Sequence, residues 1–301
     1  MIKYVVLLFL LIMIIIVLKY NDCEKYKKQY NSIQYMQTNY NLNYNFKNIF
    51  CFWNSKIIPP LINECVKNYK IKLPEWNIIL LNDKTIYNFI DKTDFPNNYN
   101  KLEVTQKSDW IRLFLLYKYG GLWMDASIII NDPSEINYMY DKVFKENYEI
   151  AGYSFSNKLY SFEDYYTFEN WFIISRKNSE IIYKWLKEYE YAIEIGFESY
   201  NNNNNLILTL HVFTNYFNDN YWIVYTCFQN TILKNKILYD KIFIKDCRET
   251  MFHYHYYTCS IPYFNIILIL FGNNEKNIKL INTDRKTINE LFLEDVINKY
   301  F

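Results

Sequence analysis

Apolar residues are concentrated at the very start of this 301-residue chain. Residues 4–18 form a continuous apolar run between Lys3 and Lys19. A helix needs about 20 mostly apolar residues to cross a bilayer, so the run is a little short for a membrane span, but Tyr4 and Tyr20 can lie at the two interfaces. No small-residue cleavage site follows, which favours an uncleaved anchor over a cleaved signal peptide or a buried soluble helix. We predict a single-pass N-terminal anchor over residues 1–19, with its orientation left open.

A polar segment and then a patterned domain follow. Residues 20–46 are rich in Asn, Tyr and Gln, which is typical of a tether. The order strand, helix, strand, helix then predicts a parallel sheet with crossover helices, and we assign residues 47–301 to one α/β domain. Those first elements are a strand over 48–53, a helix opened by Pro59-Pro60, a strand over 76–81 and a helix capped by Asn82-Asp83.

The middle of the chain carries the clearest local signals. Thr105 can cap a helix that runs to Tyr119, and Gly120-Gly121 can end it. A short strand over 122–124 then leads to Asp125. The remaining predictions are an extended segment over 127–130, a break at Asp132-Pro133, a strand over 171–174, a helix over 178–195, a loop over 201–205, a helix over 206–217 and a terminal helix over 284–300.

Composition and charge disfavour several classes of protein. The 33 basic and 32 acidic residues give no basic field, so a nucleic-acid partner is not expected. None of the six cysteines forms a C-x-x-C pair, which disfavours a zinc knuckle or a redox motif. Their spacing does not separate free thiols from disulfides.

Three charged residues predict a ligand site. Asp109 and Arg112 are three apart on the predicted helix and therefore share a face. Alone, they would suit a structural ion pair equally well. Asp125 ends a predicted strand, and ligands bind at the carboxyl edge of open parallel sheets. A carboxylate there suits a hard divalent cation that also binds phosphate oxygens.

The string S-D-x-x-R-x-x-x-L-x-x-x-G-G-x-W-x-D-A-S, from Ser108 to Ser127, resembles the core motif of the capsular polysaccharide synthesis proteins. It is also similar to sugar transferases with a DXD motif, among them the yeast initiating α-1,6-mannosyltransferase and the α-1,4-galactosyltransferases. The likeness is tight over this string, looser over residues 48–175, and fades towards the carboxyl terminus.

The resemblance implies a GT-A fold, in which helices flank a mixed, mainly parallel sheet. It implies transfer of a sugar from a nucleotide-diphosphate sugar to a hydroxyl of a glycan, polysaccharide or protein. Asp109 and Arg112 would bind the sugar and diphosphate, and Asp125 matches the first Asp of the DXD motif. These three are the predicted catalytic residues. Ser127 stands where the second Asp, the firmer metal ligand, is expected.

Other stretches extend the predicted site. Trp53 resembles an aromatic residue that stacks on the nucleotide base, although a core role is equally expected. Asn170 resembles a polar residue that faces the sugar, with Glu169 and a purely structural Asn as alternatives. His255 is preferred to His253 as a late metal ligand. The implied cofactor is Mn²⁺ or Mg²⁺, held by Asp125, Ser127 and His255.

The mechanism and two other functions stay open at this point. Retention of configuration is the expectation inherited from the relatives, and the sequence identifies no general base for inversion. An inactive relative that binds a glycan or a partner is one alternative, which the departure at Ser127 favours. A nucleotidyltransferase is less favoured, because only five glycines are available for a phosphate loop.

Overall fold

The computed structural model of the protein describes residues 47–154, 168–203, 219–258, 262–273 and 275–301. Within these residues, none of the helices combines the length and the apolar character needed to span a bilayer. The predicted anchor (1–19), tether (20–46) and helix over 206–217 lie outside the described residues and stay predictions.

A six-stranded sheet lies at the centre of the described structure. The strands are β1 (Lys47–Phe52), β2 (Trp76–Leu81), β3 (Gly121–Met124), β4 (Ile128–Ile129), β5 (Ile150–Ser154), β6 (Phe168–Ser175), β7 (Ile242–Asp246) and β8 (Ile278–Lys279). The sheet has the order β2-β1-β3-β6-β5-β7, and only β6 runs against the other strands. β4 and β8 form a separate antiparallel pair. The predicted mixed, mainly parallel sheet is confirmed.

Helices cover both faces of the sheet. They are α1 (Pro60–Lys72), α2 (Val104–Tyr119), α3 (Pro133–Phe144), α4 (Glu180–Ile195), α5 (Phe197–Asn203), α6 (Ile223–Lys234), α7 (His253–Tyr257), α8 (Pro262–Phe271), α9 (Asn282–Thr287) and α10 (Leu293–Tyr300). A π-helical turn, Ile288–Phe292, joins α9 to α10, so the predicted terminal helix is present in segmented form.

Alternate residues of β1 enter two hydrophobic cores, one on each face of the sheet. Ile49 and Cys51 pack with residues of α1 and of the C-terminal helices. Phe50 and Phe52 pack with residues of α2, α4 and α6. Because both faces are covered, the central strand β3 is buried and apolar along its whole length, as in buried parallel sheets.

Strand direction sets where the polar residues meet. β1 and β3 are parallel neighbours, so Trp53 and Asp125, which follow them, lie at the same carboxyl edge. β6 runs antiparallel to β3 and therefore begins at that edge, which brings Asn170 to it. The N–H of Asp125 donates to the carbonyl of Trp171 at 2.9 Å and fixes this junction.

Two predicted helix starts are wrong. The side chain of Asn82 does accept backbone N–H groups, but it opens only a 3₁₀ turn over Thr85–Asn88 instead of a helix. The cap of α2 is Glu103, whose N–H donates to Oε1 of Gln106 at 2.9 Å, so Thr105 lies inside the helix.

The predicted break at Asp132-Pro133 is confirmed, whereas the predicted loop over 201–205 needs correction. Asp132 and Pro133 end the extended segment but also begin α3, because the Asp132 side chain accepts the N–H of Ser134 at 2.9 Å. Residues 201–203, predicted as loop, belong to α5. The described cysteines Cys51, Cys65, Cys227 and Cys247 are buried free thiols.

Candidate functional site

Helix α2 holds the first half of the candidate site. Nη1 of Arg112 donates to Oδ1 of Asp109 at 2.9 Å, as their spacing on one helix face predicts. Both side chains are buried, with exposed fractions of 4% and 11%. The Arg112 guanidinium also lies over the ring of Trp123, with its central carbon 5.0 Å from the ring centroid. Trp123 on β3 therefore supports the guanidinium through a cation–π contact.

Strand β3 delivers the second half. Nη2 of Arg112 lies 3.4 Å from Oδ1 of Asp125, and Nε1 of Trp123 donates to the same oxygen at 3.1 Å. Arg112 thus bridges the two carboxyl groups of Asp109 and Asp125. The structure brings the three predicted catalytic residues into contact, and their roles towards a donor stay predictions.

The turn after Asp125 is held by Tyr69 of α1, a residue that is not among those predicted from the sequence. Its hydroxyl donates to the carbonyl of Asp125 at 3.0 Å and accepts the N–H of Ile128 at 2.9 Å. One buried hydroxyl therefore fixes both ends of the turn that carries Ser127. Nothing local in the sequence distinguishes this tyrosine from the other tyrosines of the chain.

Asn170 extends the site across β6. Its Nδ2 donates to Oδ1 of Asp109 at 3.0 Å, and its Oδ1 accepts the hydroxyl of Tyr225 at 3.0 Å. Oε2 of Glu169 lies 3.3 Å from the same hydroxyl and accepts Nε1 of Trp171 at 2.7 Å. Burial raises the pKa of Glu169 to about 7, although these hydrogen bonds oppose the rise.

The two carboxyl groups that Arg112 joins differ in acidity. Burial raises the pKa of Asp109 to about 7, with Arg112 opposing the rise and the charge of Asp125 adding to it. Burial would also raise the pKa of Asp125, but the charges of Lys279 and Arg112 outweigh burial and lower it. Asp125 is therefore ionised at neutral pH, while Asp109 titrates near neutrality.

Lys279 is a further charged residue of the site, and it is not among the residues predicted from the sequence. Its Nζ donates to Oδ2 of Asp125 at 2.6 Å and to Oγ of Ser127 at 3.1 Å. The β4–β8 pair places Lys279 opposite Ile128, directly beside the turn after β3. The available signal was a lysine inside the otherwise apolar stretch 278–281.

Ser127 has its hydrogen-bonding capacity filled. Its hydroxyl donates to the carbonyl of Leu280 at 3.2 Å. It accepts hydrogen bonds from Nζ of Lys279 and from Nη1 of Arg285, the latter at 3.2 Å. A serine hydroxyl has one hydrogen and two lone pairs, and all three are used here.

The three predicted metal ligands do not form a ligand set. Lys279 contacts both Asp125 and Ser127, Arg112 contacts Asp125, and Arg285 contacts Ser127. These positive charges repel a metal ion. His255 lies on the short helix α7, and its Nε2 is 2.7 Å from Oδ2 of the buried Asp284. Among the described residues, no group of three or more His, Cys, Asp or Glu could hold a metal ion. These side chains do not fit Mn²⁺ as arranged, and the cofactor stays a prediction.

Trp53 occupies the edge that the sequence predicts. Its side chain is half-buried and packs against the core on the α1 face. Its backbone N–H donates to the carbonyl of Leu81 at 2.9 Å. Part of the indole therefore serves the core. Stacking of its ring on a nucleotide base stays a prediction.

The fold and the site together define a class. Asp125 lies at the carboxyl edge of a mainly parallel sheet, and Arg112 of helix α2 joins it to Asp109, as the motif resemblance implies for sugar transferases. The chain belongs to the capsular polysaccharide synthesis protein family, whose model matches residues 19–243. The resemblance read from the motif is thereby confirmed.

Individual relatives are more distant. The chain is similar to the O-glycosyltransferase braB of Annulohypoxylon truncatum, at 25% identity over 156 residues. That match covers 47% of this chain and 36% of the relative, so the chain corresponds to a minor part of the relative's length. The family match and this relative support the predicted class, a glycosyltransferase. The solved structure of PaToxG Glycosyltransferase matches with a TM-score of 0.40 and 15% identity, over 83% of this chain and 86% of that one.

Proposed function

We propose that the protein is a GT-A glycosyltransferase that moves a sugar from a nucleotide-diphosphate sugar to a hydroxyl of a glycan, polysaccharide or protein acceptor. The observation that carries the proposal is the bridge that Arg112 makes between Asp109 and Asp125 at the carboxyl edge of the sheet. A guanidinium suits diphosphate oxygens, and carboxylates suit the donor groups of sugar hydroxyls. The family match gives this combination its context.

Each residue has a distinct role in the proposed reaction. Arg112 faces the diphosphate and stabilises the negative charge that develops on it, which is usually the largest contribution to catalysis. Asp109 and Asn170 orient the hydroxyls of the sugar. Asp125 holds Arg112 in place, and Trp53 stacks on the nucleotide base.

Bond making and breaking balance without a further reactant. The bond from the sugar C1 to the β-phosphate oxygen breaks, and its electron pair leaves on that oxygen. A new bond forms between C1 and the acceptor oxygen. In the retaining reaction that the relatives suggest, the acceptor proton passes to the departing phosphate oxygen.

The proposed cellular setting is a membrane surface. The apolar run over residues 4–18 supports an N-terminal anchor, and the polar residues 20–46 support a tether that lets the catalytic domain reach its acceptor.

The test is a screen of the purified full-length protein against UDP- and GDP-linked sugars, with nucleoside diphosphate release as the readout. One donor should be hydrolysed, and Asp125→Asn should lower the rate about 100-fold. Asp141→Asn is the matched control, because Asp141 pairs with Lys145 on the exposed side of α3. If the folded protein neither binds nor cleaves any of the donors, the proposal is overturned.

The substitution of Ser127 for the second motif carboxylate favours one second candidate, an inactive glycosyltransferase-like protein that binds without turnover. Calorimetric titration with UDP and GDP separates the two. Nucleotide binding with no release of diphosphate from any donor supports the binding protein, whereas turnover excludes it.

A further inference from the structure

Positive charge exceeds negative charge in the bonded cluster around Asp125. Arg112 and Lys279 both contact this carboxylate, and Arg112 also contacts Asp109. Arg285 joins the cluster through Ser127. Three cations therefore lie beside two carboxyl groups, and Arg285 contacts neither carboxyl group directly.

Arg285 adds its charge without a compensating carboxylate. Its Nη1 donates to Ser127 and to the carbonyl of Leu280, at 3.2 and 3.1 Å, and its Nη2 donates to Oδ1 of Asn282. Within the described ranges, no ion pair involves Arg285. An excess charge beside buried groups is costly unless an anion compensates it.

Unused donors in the cluster indicate that an anion can be received. The ammonium of Lys279 spends two of its three N–H groups on Asp125 and Ser127. Nε of Arg112 is buried and bonds to no partner among the described residues. The Asp125 side chain is 29% exposed against 7% for Lys279, so the cluster opens to solvent on the Asp125 side.

We propose that Lys279, assisted by Arg285, supplies the fixed positive charge at the donor diphosphate that a divalent cation supplies in metal-dependent sugar transferases. Transfer by this protein then requires no metal ion. The inference rests on the proposed function and adds to it the source of charge stabilisation. It resolves the misfit of the predicted metal ligands, since the ammonium contacts both Asp125 and Ser127, the two motif positions assigned to the metal.

The chemistry is charge stabilisation, and no proton moves from Lys279. As the C1–O bond breaks, its electron pair goes to the β-phosphate oxygen, and the free N–H of Lys279 donates to the diphosphate. The bond from C1 to the acceptor oxygen forms in the same reaction. A lysine held by two short contacts needs no reorganisation when the charge appears, and such preorganised groups contribute most to catalysis.

The fold accounts for the placement of this lysine. Lys279 is one of two residues of β8, and its neighbour Ile278 pairs with Ile129. The carbonyl of Met251 accepts the N–H of Lys279 at 3.0 Å, and the N–H of Leu280 donates to the carbonyl of Ser127 at 2.9 Å. Backbone bonds on both sides therefore hold the ammonium against Asp125.

The decisive experiment compares the full-length wild type after EDTA treatment with the same protein in added MnCl₂. Calorimetry measures the binding of UDP and GDP, and the donor screen measures diphosphate release. Binding and release should be unchanged by EDTA. Lys279→Met should lower release about 100-fold, with partial recovery in Lys279→Arg. Lys245→Met is the control, because Lys245 is also a strand lysine with one carboxylate partner, Glu135, at 2.8 Å.

Each outcome decides between the two proposals. A wild type that binds or cleaves only with Mn²⁺ overturns this inference and leaves the glycosyltransferase proposal standing. A wild type that binds no nucleotide in either condition overturns the glycosyltransferase proposal itself. Full activity in Lys279→Met also overturns the inference. If that variant does not fold, Arg285→Met, at a half-buried position, replaces it, and the EDTA comparison still decides.

Discussion

The side-chain amide of Asn170 on β6 donates to Oδ1 of Asp109 on α2 at 3.0 Å. Arg112 donates to the same oxygen at 2.9 Å, and no hydrogen bond to Oδ2 is found among the described residues. The sheet and the helix together therefore orient Asp109 through one carboxyl oxygen, and in the proposed reaction the other oxygen binds a sugar hydroxyl.

Removing this amide should weaken donor binding. Asn170→Ala should lower donor affinity about 5-fold, because a hydrogen bond to a charged group contributes roughly 1 kcal/mol or more. Asn170→Asp should cost more, since it places a carboxyl group against Asp109. Calorimetric titration with the donor that the screen identifies is the measurement. Asn77→Ala is the control, as Asn77 bonds Asn48 at 3.1 Å elsewhere in the sheet. Equal affinity in all four proteins would rule out the positioning role.

Glu169 should make stability depend on pH. Its pKa is raised to about 7 from 4.5, so the native state keeps a proton that the unfolded chain loses between these values. The native state binds more protons there, and stability therefore falls as pH rises from 5 to 7.5. Each unit of difference between the native and the unfolded pKa changes the free energy of unfolding by about 1.4 kcal/mol.

Glu169→Gln isolates this effect, because a glutamine oxygen can still accept Trp171 Nε1. The variant should match the wild type at pH 5 and be the more stable protein at pH 8, as measured by urea unfolding at both values. A constant difference between the two proteins across pH would contradict the assignment.

The α2–β3 segment could be predicted from sequence because its signals are local. The spacing of Asp109 and Arg112 sets a shared helix face, and Gly120, at φ 67°, ends the helix as expected. Lys279 is separated from Asp125 by 154 positions, and β8 has only two residues, too few to show a period. Non-local pairing of so short a strand leaves almost no trace in a single sequence.

Gly121 and Gly196 form a matched pair for backbone strain. Both have positive φ, 99° and 87°. A Cβ at Gly121 would lie 2.6 Å from the carbonyl oxygen of Asn48, whereas one at Gly196 would meet no atom within 4 Å. Gly196→Ala should therefore cost about 1 kcal/mol from φ alone, and Gly121→Ala clearly more.

Urea unfolding of the two alanine variants gives this comparison directly. Gly121→Ala should also lower diphosphate release, since β3 leads directly to Asp125 and a shift of the strand moves the site. Equal destabilisation by the two substitutions would show that the contact with Asn48 relaxes without cost.

His255 should act as a positioning residue rather than as a metal ligand. Its Nε2 lies 2.7 Å from Oδ2 of Asp284, which also accepts the N–H of Ile281 at 3.0 Å. Asp284 immediately precedes Arg285, whose guanidinium reaches Ser127. His255→Ala should destabilise the protein by about 2 kcal/mol, the order expected for losing a buried hydrogen bond to a carboxylate.

The predicted metal role and the positioning role give different results in one set of variants. With a positioning role, His255→Gln, which can still donate to Asp284, recovers part of the stability and of the diphosphate release lost in His255→Ala. Neither variant then changes the response of release to added MnCl₂. With a metal-binding role, both variants need more Mn²⁺ than the wild type for the same rate. A Mn²⁺ titration of the three proteins, with thermal unfolding alongside, separates the two, because Asp284 lies on α9 and its contact with His255 involves no metal.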